Sequence, residues 1–476
     1  MISRWPWVGN GDRDQGMPQT AEIRSSSPRM VMLSVPAGLL AAVMVGLAVE
    51  PSGLKELVGR EVDRPAVVRA FTGATLIPVS GPPVADGVMV VRDGRIESIG
   101  PRAAVVVPEG AEVVDCTGKV IIPGLICTHS HIGAPSGGDA SAPMQPEARV
   151  LDAIDIRDPS VARARAGGVT TVNIMPGSGH LISGQTLYLK LRSGRTVEEL
   201  SIRNDDGTLA GGLKMANGTN SLREAPFPGT RGKSAALVRQ EFLKARDYQR
   251  KKAAAAAGDP ATGPDRQLAM ETLVEVLEGR RVVHHHTHRA DDILTVLRLK
   301  EEFGFKVVLH HVSDAWQVAD EIAAAGVGCS IINLDAPGGK LETRDLDWKN
   351  GAELERRGVV TAVHTDDPIT DSRWMLRSAA LSVRGGMSRE KALESVTLAG
   401  ARLLGLEART GSLEPGKEAD MVILSGDPLS IYTRVLETWV EGRLVFDLSR
   451  PADRLAAEGG PGAGQARWGA TCCFSR

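Results

Sequence analysis

Ten histidines occur in this chain of 476 residues, at positions 129, 131, 180, 284, 285, 286, 288, 310, 311 and 364, and both ends have none. Histidines serving only local packing would not respect such a boundary, so one internal segment carries the chemistry. Neutral imidazole is the commonest metal ligand, offering one ring nitrogen while the other donates. His129 and His131 close the apolar run "IIPGLICTHSHIG". One residue apart on a strand, they point to the same side and supply half of a tetrahedral metal site.

Three later stretches carry matching residues. In "VVHHHTHRADD", His284, His286 and His288 share one face and His285 points the other way. His286 lies where the strand should end and is the expected ligand; His284 and His285 are expected to fill and hydrogen-bond the space beside it. In "VVLHHVSDAW" the adjacent His310 and His311 face opposite sides, so one of them points inward, and His311 is the ligand chosen. In "VHTDDP", Asp366 shares the face of His364. A carboxylate there could bind metal and take the proton from a metal-bound water. Asp367, before Pro368, reads as a turn or cap residue. Lys214 in "GGLKMANGTN" faces the same expected site. Its amine, when neutral, can add carbon dioxide to form a carbamate that bridges two cations. The cofactor expected is one or two divalent cations, zinc by ligand type.

Such residues need a scaffold that brings distant strand ends together. Residues 124–410 alternate short apolar strands with amphipathic helices. The strand candidates are "KVIIPGLICTHSH", "GVTTVNIMPG", "QTLYLKL", "GGLKMANG", "RRVVHHHTH", "FKVVLHHV", "GVGCSIINL" and "GVVTAVHTDD". Eight βα units predict an α/β fold, a (β/α)₈ TIM barrel, whose catalytic face is the C-terminal end of the strands. An open doubly wound sheet is the alternative, but no G-x-G-x-x-G follows any strand. Residues 66–123 and 411–447 read as short strands and turns, with a hairpin at Asp93-Gly94, and together form a small β domain built from both chain ends.

Residues 1–65 read as disordered around a signal-like apolar segment, 30–49, and 448–476 as a disordered tail. The apolar segment predicts export, to a periplasmic or extracellular location; a membrane anchor or a cytoplasmic chain are the alternatives. A net charge of −2 gives no footprint for nucleic acid. The five cysteines show no C-x-x-C spacing and suggest neither a disulfide framework nor a zinc knuckle.

Over roughly residues 66–447 the chain resembles the amidohydrolase superfamily of metal-dependent hydrolases. "GKVIIPGLICTHSH" is similar to its first-strand motif, and "AGGVTTVNIMPGS", "HTDDP" and "LAGARLLGLEARTGSLEPGKEADMVIL" follow in the expected order. The resemblance implies a barrel with a β-sandwich from both termini, and carbon–nitrogen bond hydrolysis by a metal-bound hydroxide. It matches His129 and His131 to the first-strand ligands, His286 and His311 to those of strands five and six, and Asp366 to the eighth-strand base. "LKMANGTN" resembles the region supplying the carbamylated lysine of binuclear members. "PGSGHLISGQ" resembles the imidazolonepropionase-like branch, with His180 as a polar substrate contact. Cys127 departs from the pattern, standing where the family has Asp.

The reaction expected is cleavage of a non-peptide or dipeptide-like amide, or a cyclic amide, in a small molecule. His288 or His364 would stabilise the oxyanion, and Arg223 and Arg231 would clamp a substrate carboxylate. A mononuclear deaminase of the same fold and a non-catalytic scaffold are the rival readings. An oligomer is compatible with all three.

Overall fold

The computed structural model of the protein describes residues 67–133, 139, 141–258, 263–334 and 340–459. The apolar segment 30–49, the remainder of the expected disordered N-terminus and residues 460–476 lie outside them. Among the described residues no helix is long and apolar enough to cross a membrane.

In chain order the first strands are β1 (Val68–Leu76), β2 (Val84–Arg92), β3 (Arg95–Pro101), β4 (Glu112–Asp115) and β5 (Val120–Pro123). The middle carries β6 (Leu125–Ser130), β7 (Val169–Ile174), β8 (Ile182–Gln185), β9 (Leu187–Lys190), β10 (Gly212–Ala216), β11 (Val282–Thr287), β12 (Val307–His311), β13 (Gly328–Ile331) and β14 (Thr361–Val363). Last come β15 (Met421–Leu424), β16 (Val435–Val440) and β17 (Arg443–Asp447). One sheet runs in the order β17-β16-β15-β5-β1-β2-β3, with β4 on β1. Within it β15 pairs antiparallel with β5, so strands from both ends of the chain share one ladder.

Local chemistry sets the turns of this sheet. Asp93 and Gly94 join β2 to β3 with φ of +51° and +81°, the left-handed pair that a two-residue hairpin needs. Glu441 and Gly442 do the same between β16 and β17. The two turns meet closely: a Cβ on Gly94 would lie 2.7 Å from the Glu441 carbonyl oxygen. Gly124 separates β5 from β6, dividing the first strand candidate between two sheets. A side chain there would strike Thr170, whose Oγ1 lies 2.2 Å from the position of a Cβ.

In the middle of the chain, β6 pairs in parallel with β7, and β10 to β14 are parallel neighbours in chain order. Helices Ala290–Phe303, Ala319–Ala324 and Asn350–Arg356 follow β11, β12 and β13. The expected eight parallel units need correction at the third. "QTLYLKL" yields β9, which runs antiparallel to β7, and β8 runs antiparallel to β10. Residues 175–186 between β7 and β9 contain β8 and no helix, whereas a parallel crossover is usually made by a helix. The tail also needs correction over its first part, where Pro451–Glu458 is helical. Proline suits a first helical position, and Arg373 donates to the carbonyls of Ala456 (3.4 Å) and Ala457 (3.2 Å) near the other end.

Lys190 ends β9 with its side chain buried, paired with Glu418 at 2.8 Å and with Asp420. Burial opposes its charge, yet Asp420 and Glu418 hold it protonated above the ordinary lysine value. Asp420 also accepts from the Thr410 hydroxyl (2.7 Å) and the Glu441 backbone N–H (2.9 Å). Replacing Lys190 with Met leaves buried carboxylates without their cation and is expected to cost about 3–5 kcal/mol in urea unfolding. A loss below about 1 kcal/mol, the range of exposed pairs, would show that the network does not bind these segments together.

Candidate metal centre

The ends of β6 and β14 are tied by backbone hydrogen bonds. The Asp366 N–H donates to the His129 carbonyl (3.1 Å) and the His131 N–H to that of Asp367 (3.1 Å). All six residues of β6 are buried, so the strand carries His129 into a dry interior, and His131 follows one residue past its end, part-buried. On the other side, Ala216, His286 and His310 are level across β10, β11 and β12, which brings Lys214 and the later histidines toward the same space.

Asp366 Oδ1 lies 3.3 Å from His129 Nε2 and 3.1 Å from His131 Nε2, and its Oδ2 lies 3.9 Å from His311 Nδ1. Lys214 Nζ is 3.3 Å from His129 Nε2 and 3.2 Å from Met175 Sδ. The Met175 carbonyl stands 2.8 Å from His131 Nδ1. A carbonyl only accepts, so His131 donates through Nδ1, and in its neutral form its lone pair faces Asp366 from Nε2. His311 Nδ1 meets His364 Nε2 at 3.1 Å, and His364 Nδ1 meets Ser330 Oγ at 2.7 Å. His286 packs its ring against those of His311 (4.5 Å) and His288 (4.7 Å).

Two sets of potential ligand atoms gather here, His129–His131–Asp366 and His129–His311–His364, and a third set is His286–His288–Glu342. Among the described residues, both ring nitrogens of His286 and Nε2 of His311 are buried with no hydrogen-bond partner. An unsatisfied buried polar atom costs about 1–3 kcal/mol, and a cation would satisfy one ring nitrogen of each. The residues present therefore fit a divalent metal. His311 and Asp366 hold φ of +69° and +51°, conformations that side chains other than glycine avoid and that cluster at functional positions.

Burial pushes His129, His286, His310 and His311 well below the ordinary histidine value, with neighbouring charge from Lys214 acting the same way. His284 is pushed down to about 3, by burial first and Lys214 second, and His285 to about 4, chiefly by burial. All are therefore neutral near pH 7, as metal-binding imidazoles must be.

Of the expected residues, His129, His131, Lys214, His286, His311, His364 and Asp366 converge. His288 joins them through its ring contacts and is held by Ser313 Oγ, 2.8 Å from Nδ1. His180 packs its ring 5.4 Å from that of Phe227. The Arg223 guanidinium lies 4.1 Å over the same Phe227 ring and donates to the Gly179 carbonyl. Arg231, expected as a substrate clamp, pairs with Asp292 at 2.8 Å and with Glu342 at 3.6 Å. Asp367 accepts from the Ser372 N–H (2.7 Å) and hydroxyl (2.8 Å), as a cap residue does. Cys127 donates to the His129 carbonyl (3.1 Å) and meets Thr365 Oγ1 at 3.3 Å. Burial raises its thiol pKa, so a neutral hydrogen bond ties β6 to the exit of β14. Glu342 was absent from the sequence reading because nothing in "LETRDLDW" marks a contact with strand ends so far away in the chain.

A family model described as "Amidohydrolase family" matches residues 163–446. A solved amidohydrolase from Thermotoga maritima MSB8 is 35% identical, with a TM-score of 0.74, covering 79% of this chain and 99% of that one. An amidohydrolase of Hapsidospora irregularis, tasK, is 28% identical over 73% of this chain, which spans only 39% of that protein. An imidazolonepropionase of Bradyrhizobium is 28% identical over 71% of this chain and 87% of its own length.

Neutral buried histidines make stability depend on pH with a definite sign. Their folded-state values lie below the ordinary 6.5, so below that pH the unfolded chain binds more protons than the folded one. Their stabilising contribution is complete above pH 6.5 and declines as pH falls toward about 3. The urea midpoint of the metal-free chain is expected to drop between pH 7 and pH 5, whereas a flat midpoint would contradict the burial of neutral imidazoles.

Proposed function

The chain belongs to the amidohydrolase family, hydrolases acting on carbon–nitrogen bonds, and we propose that it cleaves an amide or cyclic amide of a small molecule at a divalent-metal centre. His129, His131, Lys214, His286, His311 and Asp366 would hold the metal, zinc by ligand type. The observation that carries this reading is that, among the described residues, both ring nitrogens of His286 and Nε2 of His311 are buried without a protein partner, beside the His129–His131–Asp366 cluster. We take the parallel strands in chain order as support for a (β/α)₈ barrel, with the eight-stranded sheet belonging to a β-sandwich from both chain ends. The apolar segment 30–49 supports export in the same proposal.

A bound cation would bring the pKa of a coordinated water toward ~7 and polarise the carbonyl of the substrate. Asp366 takes the proton of the attacking water and returns it to the departing nitrogen, since its Oδ1 already faces both first-strand histidines. His288 is assigned to the oxyanion because Ser313 fixes its ring through Nδ1. His364, engaged at both nitrogens by Ser330 and His311, instead orients His311. Lys214 Nζ lies beside His129 Nε2, where a carbamate on it would add oxygen ligands. The complete His129–His131–Asp366 set also supports a second reading, a single-cation deaminase.

Metal content separates these readings. Two cations per chain are expected, falling below two in Lys214→Ala; two retained in the variant would discard the carbamate. One cation in both proteins would favour the deaminase. Asp366→Asn is expected to lower hydrolysis by about 10²–10⁴-fold. The substrate class is read by offering the metal-loaded chain N-acyl amino acids, dipeptides and cyclic amides. Complete inactivity with the centre filled would favour a scaffold.

A further inference from the structure

Behind the proposed centre, three hydrogen bonds run in line through the interior. Tyr188 Oη lies 2.8 Å from His284 Nε2, His284 Nδ1 lies 2.9 Å from His310 Nε2, and His310 Nδ1 lies 3.2 Å from His129 Nδ1. Tyr188 is 3% exposed and the three histidines 0%. Each neutral imidazole has one N–H and one lone pair. The choice at one ring therefore dictates the next, and the line has two consistent directions.

In the first, Tyr188 donates to His284, His284 to His310 and His310 to His129. His129 then carries its hydrogen on Nε2, directed at Asp366 Oδ1 3.3 Å away. In the second, His129 donates through Nδ1, His310 through Nε2 and His284 through Nε2 to the Tyr188 oxygen. His129 Nε2 is then a lone pair facing Asp366 and Lys214. Only the second direction lets His129 accept a cation at Nε2.

We propose that Tyr188, His284 and His310 form a tautomer-setting chain behind His129, and that its direction reverses when a divalent cation occupies the centre. The inference rests on the reading of His129 as a ligand. Proton count is conserved: each ring keeps one N–H. The proton leaving His129 Nε2 is matched by one restored to Tyr188 Oη through solvent exchange. Tyr188, His284 and His310 are positioning residues here, acting on the cation only through His129. Groups behind metal-binding histidines commonly fix the tautomer in this way, and losing them costs about 10–100-fold in metal affinity.

The test uses the full chain with ¹⁵N-labelled histidine, metal-free and titrated with zinc. Nitrogen resonances distinguish the two tautomers, and His284→Gln and His310→Gln assign the signals. The metal-free chain is expected to show His284 and His310 protonated at Nδ1, changing to Nε2 as zinc binds. Tyr188→Phe and His310→Gln are expected to weaken zinc binding within that 10–100-fold range. If a variant does not fold, the wild-type tautomers still decide. Zinc uptake with both tautomers unchanged would overturn the relay and leave the metal centre standing. A wild-type chain that takes up no zinc would overturn both.

Discussion

A neutral imidazole has one hydrogen to give and one lone pair to fill, and in a dry interior no water makes up a shortfall. That constraint governs the centre of this molecule. His129, His284, His286 and His310 are fully buried and His311 nearly so, all with protonation disfavoured by desolvation. His129, His284 and His310 find partners among themselves and in Lys214 and Tyr188, and His311 Nδ1 finds His364. Among the described residues, the exceptions within this group are His286 and one nitrogen of His311. Apolar side chains of the same size would pack at no such cost, so the retained imidazoles are the strongest physical support for the proposed cation.

Delivering the ligands to one point takes unusual backbone as well as suitable side chains. His311 and Asp366 leave their strands with positive φ, each an arrangement costing of order 1–3 kcal/mol. The surroundings that hold them there are specific. Asp366 is fixed by its N–H to the His129 carbonyl, and that same carbonyl accepts from Cys127. Cys127 thus occupies a position where an acidic side chain was expected and supports the junction with a neutral thiol. A carboxylate there would have placed a further negative charge in a dry space next to Asp367.

How legible this was follows from the reach of each signal. The period of a strand told which of His284 to His288 share a face, and adjacency told that His310 and His311 cannot both point one way. Both deductions concern side-chain direction within one strand, which sequence encodes locally. They did not reveal that His284 and His310 meet each other, because that contact joins faces of two strands, and both faces are buried. "QTLYLKL" misled for a related reason: a short buried strand has the same composition whether it is parallel or antiparallel. The informative feature was the lack of a helix in its approach from β7, since residues 175–186 carry β8 instead. The ion pairs of Arg231 were not legible because its carboxylate partners come from positions 292 and 342, far away in the chain.

The support of the centre extends into the sheet built from both chain ends. Asp420, just before β15, receives Lys190 with its carboxylate and the Gly124 N–H with its carbonyl at 2.9 Å. Gly124 lies between β5 and β6, and β6 carries His129 and leads directly into His131. One aspartate therefore holds the root of the first ligand strand and, through Lys190, the end of β9, the strand that also bears Tyr188. His129 is thus constrained from two directions, along β6 by the backbone and through His310 and His284 by the imidazole line. A metal ligand needs both, since the backbone places the ring and only the hydrogen bond behind it decides which nitrogen is bare.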